Sequence, residues 1–250
     1  MTARLMVMGG GRMGEALVSG LAAAGWDDIV VVEKVATRRH ELGKAGINAV
    51  AEPVDCDGVV IAVKPGDVEG ACRSLGSANR ALSIAAGVPL AKLEAWLPCP
   101  VVRAMPNTPA LVGAGASAIA GGSGADLDWA EEILSAVGTV VRVPESMLDA
   151  VTGLSGSGPA YVFLVAEALI EGGVVAGLPR DTAVALASQT LLGAARLLVE
   201  SDDGPEALRA AVTSPGGTTA AGLRALESRA VRSAFIEAVQ AATARSRELG

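Results

Sequence analysis

Aromatic residues are scarce in this chain: three Trp, one Tyr and two Phe among 250 residues, although 51% of the residues are hydrophobic. The interior must therefore be built from Ala, Val and Leu, whose small side chains let helices meet at short distances. Histidine occurs once, at His40, and lysine at Lys34, Lys44, Lys64 and Lys92, so neither stands after residue 92. The three cysteines, Cys56, Cys72 and Cys99, have the number and spacing of neither a disulfide framework nor a zinc site, and read as small apolar residues. With 20 basic and 27 acidic residues the net charge is −7, and no basic stretch is interleaved with aromatics. Nucleic acid is therefore not expected as a partner. The longest uncharged run, residues 104–125, is broken by prolines and glycines and cannot span a bilayer as a helix. Near the N-terminus only Leu5–Met8 is continuously apolar, too short for a secretory signal. These absences imply a soluble cytoplasmic protein with no membrane partner.

The length suffices for one large domain or two modest ones of ~100–150 residues. Up to about residue 143, short β-branched runs alternate with helix-like stretches, the rhythm of parallel strands joined by crossover helices. Strands are expected at 5–8, 29–33, 47–50, 58–63, 81–85, 101–105, 116–120 and 139–143, and helices at 12–24 and 37–44. Pro and Gly turns are expected between the later strands. After Pro144 the β-branched runs stop, and Ala, Leu and Val recur at three- and four-residue spacings. Helices are expected over 159–171, 180–200 and 205–211, from Thr218 or Thr219, and over 231–248. The fold class is thus α/β, with a doubly wound sheet over residues 1–146 and an all-helical domain over 147–250. Helices 159–171 and 180–200 are apolar nearly all round, and a domain of ~100 residues cannot bury them alone. A partner subunit is expected.

Gly9-Gly10-Gly11-Arg12-Met13-Gly14 fits G-x-G-x-x-G, with Gly9, Gly11 and Gly14 in the three glycine roles. A strand ending at Met8 precedes it, a helix follows, and Glu33 closes the second strand 19 residues after Gly14. That context makes it the dinucleotide fingerprint of a Rossmann domain, in which a pyrophosphate rests on the helix N-terminus. Glu33 argues for a free ribose 2′-hydroxyl, as in NAD, whereas Lys34, Arg38 and Arg39 can neutralise the 2′-phosphate of NADP. Both cofactors stay open. His40 falls on the adenosine side and reads as a surface residue.

A dehydrogenase acting on an alcohol needs a group to take the hydroxyl proton, usually His or Lys. Gly153-Leu154-Ser155-Gly156-Ser157-Gly158 resembles the glycine-rich segment of the β-hydroxyacid dehydrogenases. That family places a catalytic lysine and an asparagine where this chain has Val162 and Ala166. Alcohol chemistry is therefore unsupported. A protonated imine is already activated towards hydride, so positioning and binding of charge suffice.

Ser214-Pro215-Gly216-Gly217-Thr218-Thr219 sets backbone N–H groups and three hydroxyls at a helix start, which suits a carboxylate, although a plain capping turn reads the same. With Ala62-Val63-Lys64-Pro65, residues 103–109 (RAMPNTP), residues 154–161 (LSGSGPAY) and residues 213–223, it makes the chain similar to the pyrroline-5-carboxylate reductase family from about residue 4 to 249. The resemblance implies reduction of 1-pyrroline-5-carboxylate to L-proline by NADPH or NADH, the last step of proline biosynthesis. It implies that Ser214, Gly217, Thr218 and Thr219 hold the substrate carboxylate, that the Thr219 hydroxyl bonds the ring nitrogen, and that Glu145 lies near the substrate pocket. On the cofactor side it implies Met8 to Gly14, Glu33 and Lys34, Ala62 to Pro65, Ala85 and Ala86 with Gly87, and Asn107 at the nicotinamide amide. Without the resemblance, Asn107 reads as a turn residue, Lys64 and Glu145 as surface charges, and Tyr161 as helix packing. The family also implies a homodimer through the helical half, and in some members a ring of dimers. No metal is expected. Two other readings remain: a reductase of a different small cyclic imino acid, and an NAD(P)-binding sensor without turnover.

Overall fold

The computed structural model describes residues 4–249. One sheet contains β1 (Leu5–Met8), β2 (Ile29–Val32), β3 (Ala49–Val50), β4 (Gly58–Ile61), β5 (Arg80–Ser83), β6 (Val101–Met105), β7 (Gly115–Gly121) and β8 (Gly138–Arg142). Their spatial order is β3-β2-β1-β4-β5-β6-β7-β8. The interior strands β1 and β4, LMVM and GVVI, are buried at every position, as a parallel sheet covered on both faces requires. Helices α1 (Arg12–Ala23) and α5 (Leu127–Ser135) cover one face, packing Leu17, Leu21 and Ile133 on Leu5, Val7, Leu82 and Val102. On the other face lie α3 (Val68–Arg73) and α4 (Leu90–Trp96), whose Cys72, Leu90 and Leu93 join Met6, Val59 and Ile61. The crossover from β2 to β3 carries α2 (Ala36–Lys44).

Two features depart from the sequence reading. β7 runs antiparallel to β6, while the other pairings are parallel. The link between them, residues 106–114, has room only for a 3-10 turn at Thr108–Val112, and a parallel return needs a crossover of a dozen residues or more. The segments expected as turns between later strands also fold into α4 and α5, and α3 fills the crossover from β4 to β5. Asp126 starts α5 by accepting a hydrogen bond from Trp129 N at 3.0 Å.

Past β8 the chain passes through a 3-10 turn at Glu145–Met147, α6 (Leu148–Val151) and a π turn at Thr152–Gly156 into α7 (Gly158–Val175). Ser157 N donates to Thr152 O at 2.8 Å and closes the π turn. Then follow α8 (Arg180–Glu200), α9 (Pro205–Ala211), α10 (Thr218–Glu227) and α11 (Val231–Leu249). The end of α11 packs on the π turn so closely that a Cβ on Gly153 would stand 2.7 Å from Val239 O.

The contacts separate two compact units, residues 4–159 with 239–249, and residues 160–238. Within the second, α7 buries no residue and α8 buries only Ala183 and Ala187. Phe163 and Leu164 are 63% and 65% exposed. The run Glu145–Val175 and helix α8 are long and apolar enough to cross a membrane by length and composition. Cys72 is buried, while Cys56 and Cys99 are half-buried. Burial pushes the Cys56 and Cys72 thiols up to about 11 and raises that of Cys99, so all three stay protonated and inert at neutral pH.

Candidate active site

The Gly-rich loop follows β1 directly. Met8 is buried at the strand end, and Gly9 leaves it at φ +113°. A Cβ on Gly9 would lie 2.6 Å from Ala62 O, so both the conformation and the neighbouring strand demand glycine. Gly14 lies in the first turn of α1, so tight against Gly9 O that a Cβ there would collide with it. Above Gly11 the space is open, with nothing within 4 Å of an added Cβ. Gly11 caps α1 in extended conformation without a side chain, and Glu15 N is the first amide to find a helix carbonyl, Gly11 O at 2.9 Å. The N–H groups of Arg12, Met13 and Gly14 are thus left at a positive helix end under an open space, a cradle that fits a pyrophosphate.

Glu33, at the end of β2, is tied back to this loop. Its Oε2 accepts from Gly10 N at 3.1 Å and its Oε1 from Val35 N at 2.8 Å. The nearby cations are largely committed. Arg38 donates through Nε to Gly10 O at 2.8 Å and pairs with Glu15 and Glu41; bonds to these two carboxylates raise its pKa above the ordinary guanidinium value. Arg39 donates to the carbonyls of Glu33 at 2.7 Å and Lys34 at 2.8 Å. Lys34 is exposed, and His40 lies exposed on α2.

Ala62, Val63, Lys64 and Pro65 leave the C-terminal end of β4, and Ala85, Ala86 and Gly87 follow β5. These are the strand ends at which open α/β sheets bind ligands. Lys64 and Pro65 are exposed, Ala85 is buried and Gly87 turns at φ +74°. A cavity of about 480 Å³ opens beside them, lined by Pro65, Ala86, Gly87 and Trp96 together with Thr152 and Ser157.

Asn107 is buried. Its Nδ2 donates to Ser155 O in the π turn at 3.0 Å, and its Oδ1 accepts from Ala116 N at 2.8 Å. Glu145 is likewise engaged: its Oε1 accepts from Arg103 Nη1 at 2.9 Å and from Leu90 N at 2.7 Å. Neither bond was legible from spacing, since the partners stand 42 and 55 positions away.

The second unit holds Ser214–Thr219. Gly217 N donates to Ser214 O at 3.0 Å, Pro215 occupies the second turn position, and Gly216 the third at φ +69°, the pattern of a type II turn. A Cβ on Gly217 would strike Ser214 Oγ. The turn delivers the chain into α10, where Ala221 N is the first amide to bond a helix carbonyl, at Gly217 O. The N–H groups of Thr218, Thr219 and Ala220 are left at the positive end of a ten-residue helix. Ser214, Thr218 and Thr219 are exposed, and among the described residues their hydroxyls are not committed to hydrogen bonds. Tyr161 OH donates to Ala238 O at 3.4 Å, a packing contact between α7 and α11.

Comparisons with known proteins identify the family. A family model described as pyrroline-5-carboxylate reductase dimerisation matches residues 145–249, and one described as NADP oxidoreductase, coenzyme F420-dependent, matches residues 4–88. A pyrroline-5-carboxylate reductase of Synechocystis is 48% identical over 100% of this chain and 99% of its own. Among solved structures, one of a pyrroline-5-carboxylate reductase from Coxiella burnetii superposes with TM-score 0.92 at 37% identity, covering 100% of this chain and 99% of that one. Another, pyrroline carboxylate reductase of Plasmodium falciparum with NADP bound, has TM-score 0.85 at 31% identity, covering 100% and 98%. The chain belongs to the pyrroline-5-carboxylate reductase family.

Proposed function

We propose that this protein reduces the C=N bond of 1-pyrroline-5-carboxylate to give L-proline, drawing hydride from NADPH or NADH. The observation that carries the reading is the Ser214–Thr219 turn, with free N–H groups and hydroxyls at a helix start, in a chain whose helical half holds neither lysine nor histidine. A bound reduced nicotinamide would supply hydride for the imine carbon, and the nitrogen, already protonated, would keep its proton and receive the electron pair of the C=N bond. The protein is then left with binding and orientation. The Ser214 hydroxyl, the Gly217 turn and the Thr218 and Thr219 N–H groups hold the carboxylate, and Thr219 Oγ1 orients the ring nitrogen.

Met8 to Gly14 would hold the dinucleotide, with Glu33 and Lys34 for its adenosine ribose, and Ala62 to Pro65, Ala85 and Ala86 for its nicotinamide half. Asn107 fastens the turn at Ser155, and its second amide hydrogen would be offered to the nicotinamide amide. By role the chain divides into residues 1–146 for the cofactor and 147–250 for substrate and dimerisation. Two copies pair through the helical half, which covers the apolar faces of α7 and α8 and keeps the protein soluble in the cytoplasm. Association of dimers into a ring is distinguished from a lone dimer by sedimentation.

The test follows NADPH and NADH absorbance with 1-pyrroline-5-carboxylate and with its six-membered homologue. Oxidation dependent on the five-membered imine is expected. Preference for the homologue transfers the same mechanism to another substrate, and cofactor binding without turnover makes the protein a sensor. Thr219→Ala should lower kcat ~10–100-fold, the worth of a hydrogen bond to a charged group, while leaving the cofactor Kd unchanged.

A further inference from the structure

Pro89 precedes α4 and brings no side-chain acceptor to the free N–H groups of its first turn. The acceptor comes from Glu145, in the segment that leaves β8, whose Oε1 takes the Leu90 N–H at 2.7 Å. The same oxygen takes Arg103 Nη1 at 2.9 Å, and the Arg103 side chain is only 11% exposed. One carboxylate oxygen thus joins three pieces of chain: β6 through Arg103, the start of α4, and the 3-10 turn at Glu145–Met147. Two of these pieces continue into the lining of the 480 Å³ cavity. Ala86, Gly87 and Trp96 belong to α4 and the turn before it, and Thr152 and Ser157 follow the Glu145 turn. A second bond, Asn107 Nδ2 to Ser155 O, fastens that second part of the lining to the chain after β6.

We propose that Glu145, paired with Arg103, is a positioning residue that sets the Ala85–Gly87 turn against the nicotinamide half of the cofactor, without touching the substrate. The inference rests on the reductase reading above, because that reading places the nicotinamide at this turn. Geometry gives it chemical content. Both bonds use Oε1, so a glutamine can keep them, whereas an alanine loses both and an aspartate is one methylene too short to reach both.

The experiment compares Glu145→Ala, Glu145→Asp and Glu145→Gln with the unaltered enzyme. Imine-dependent oxidation by the unaltered enzyme tests the reductase reading separately. Glu145→Ala and Glu145→Asp should raise the KM for NADPH and NADH about tenfold, a common cost of losing one charge-assisted hydrogen bond. The imine KM should move less than about twofold, and Glu145→Gln should stay within about threefold of the unaltered enzyme throughout. Inhibition by 2′,5′-ADP, which carries only the adenosine half, should be unchanged. A rise in the imine KM in Glu145→Gln as in Glu145→Ala, with cofactor KM unmoved, would overturn the proposal in favour of direct substrate contact. Parallel weakening of 2′,5′-ADP binding would reduce Glu145 to general support of the fold. If Glu145→Ala does not fold, Glu145→Asp and Glu145→Gln still separate these outcomes.

Discussion

The two compact units solve the same problem of burial by different means. In the sheet unit the interior strands are sealed by their own helices: Met6, Val7, Val59, Val60, Ile61 and Leu82 are at most 1% exposed. In the helical unit α7 is apolar over most of its length, yet no residue of it is buried. Leu169, Leu186, Leu192 and Leu197 are exposed as well. One unit finds its interior within the chain, and the other leaves apolar faces open, which the proposed pairing of two copies would cover and which fits the match to a dimerisation family. Cofactor affinity should therefore depend on the sheet unit alone, and turnover on both.

The sharpest way to break the contrast is to put charge on α7. Phe163→Asp combined with Leu164→Asp places two carboxylates where a partner must exclude water, at a cost of several kcal/mol per buried charge. Sedimentation should find monomers, and kcat/KM should fall more than ~100-fold, while cofactor titration still finds an intact sheet unit. A variant that remains dimeric and active would show that another face joins the subunits. A smaller effect sharpens the contrast from the other side. Glu33 presents a carboxylate held by Gly10 N and Val35 N, while Arg38 is spent on Glu15, Glu41 and Gly10 O. A 2′-phosphate placed there meets like charge before it meets a free guanidinium. Glu33→Ser should raise the ratio of NADPH to NADH specificity constants ~10-fold, the worth of about 1.4 kcal/mol, with imine KM and oligomeric state unchanged. A ratio that does not move would assign the ribose to another group, Lys34 first.

How legible the molecule was from sequence follows the same division. β1, β6, α8 and α9 have the bounds their residue patterns imply: β1 is a continuous apolar run, β6 lies between Pro100 and Pro106, and Pro179 and Pro205 mark the starts of α8 and α9. The short crossovers were not legible. α3 and α4 have six and seven residues, under two turns of periodicity, and Glu145 caps α4 from a distant turn. For α5 the signal existed: Asp126 at its start, with Trp129, Ala130, Ile133 and Leu134 buried at helical spacing. The Gly-rich loop and the Ser214–Thr219 turn were readable because their chemistry is local. The bonds of Asn107 and Glu145 bridge distant segments, and only the fold brings those together.

The least effect is expected at the end of the sheet opposite the Gly-rich loop, where the sheet unit carries its own charge cluster. Asp57 accepts from Asn79 Nδ2 at 2.9 Å and from Arg80 Nη2 at 2.6 Å. Arg80 also reaches Asp126 at 2.8 Å and lies over the Trp129 ring, 4.9 Å from its centroid. The Asn79 hydrogen bond, with Arg80 assisting against partial burial, holds the Asp57 carboxyl below its ordinary value. A carboxyl depressed in the folded state contributes its stabilisation fully above the unfolded value, near 4, and loses it as pH falls through the folded one. Asp57→Asn keeps the shape and removes the charge, so at pH 7 the thermal midpoint should drop by about 2–4 °C, the size expected for roughly 1 kcal/mol in a chain of this length. The gap should close as the pH is lowered below 4, where the unaltered protein protonates the same group. Cofactor affinity and dimerisation should not change at neutral pH. A gap that persists in acid would mean that Asn79 and Arg80 are held by shape alone.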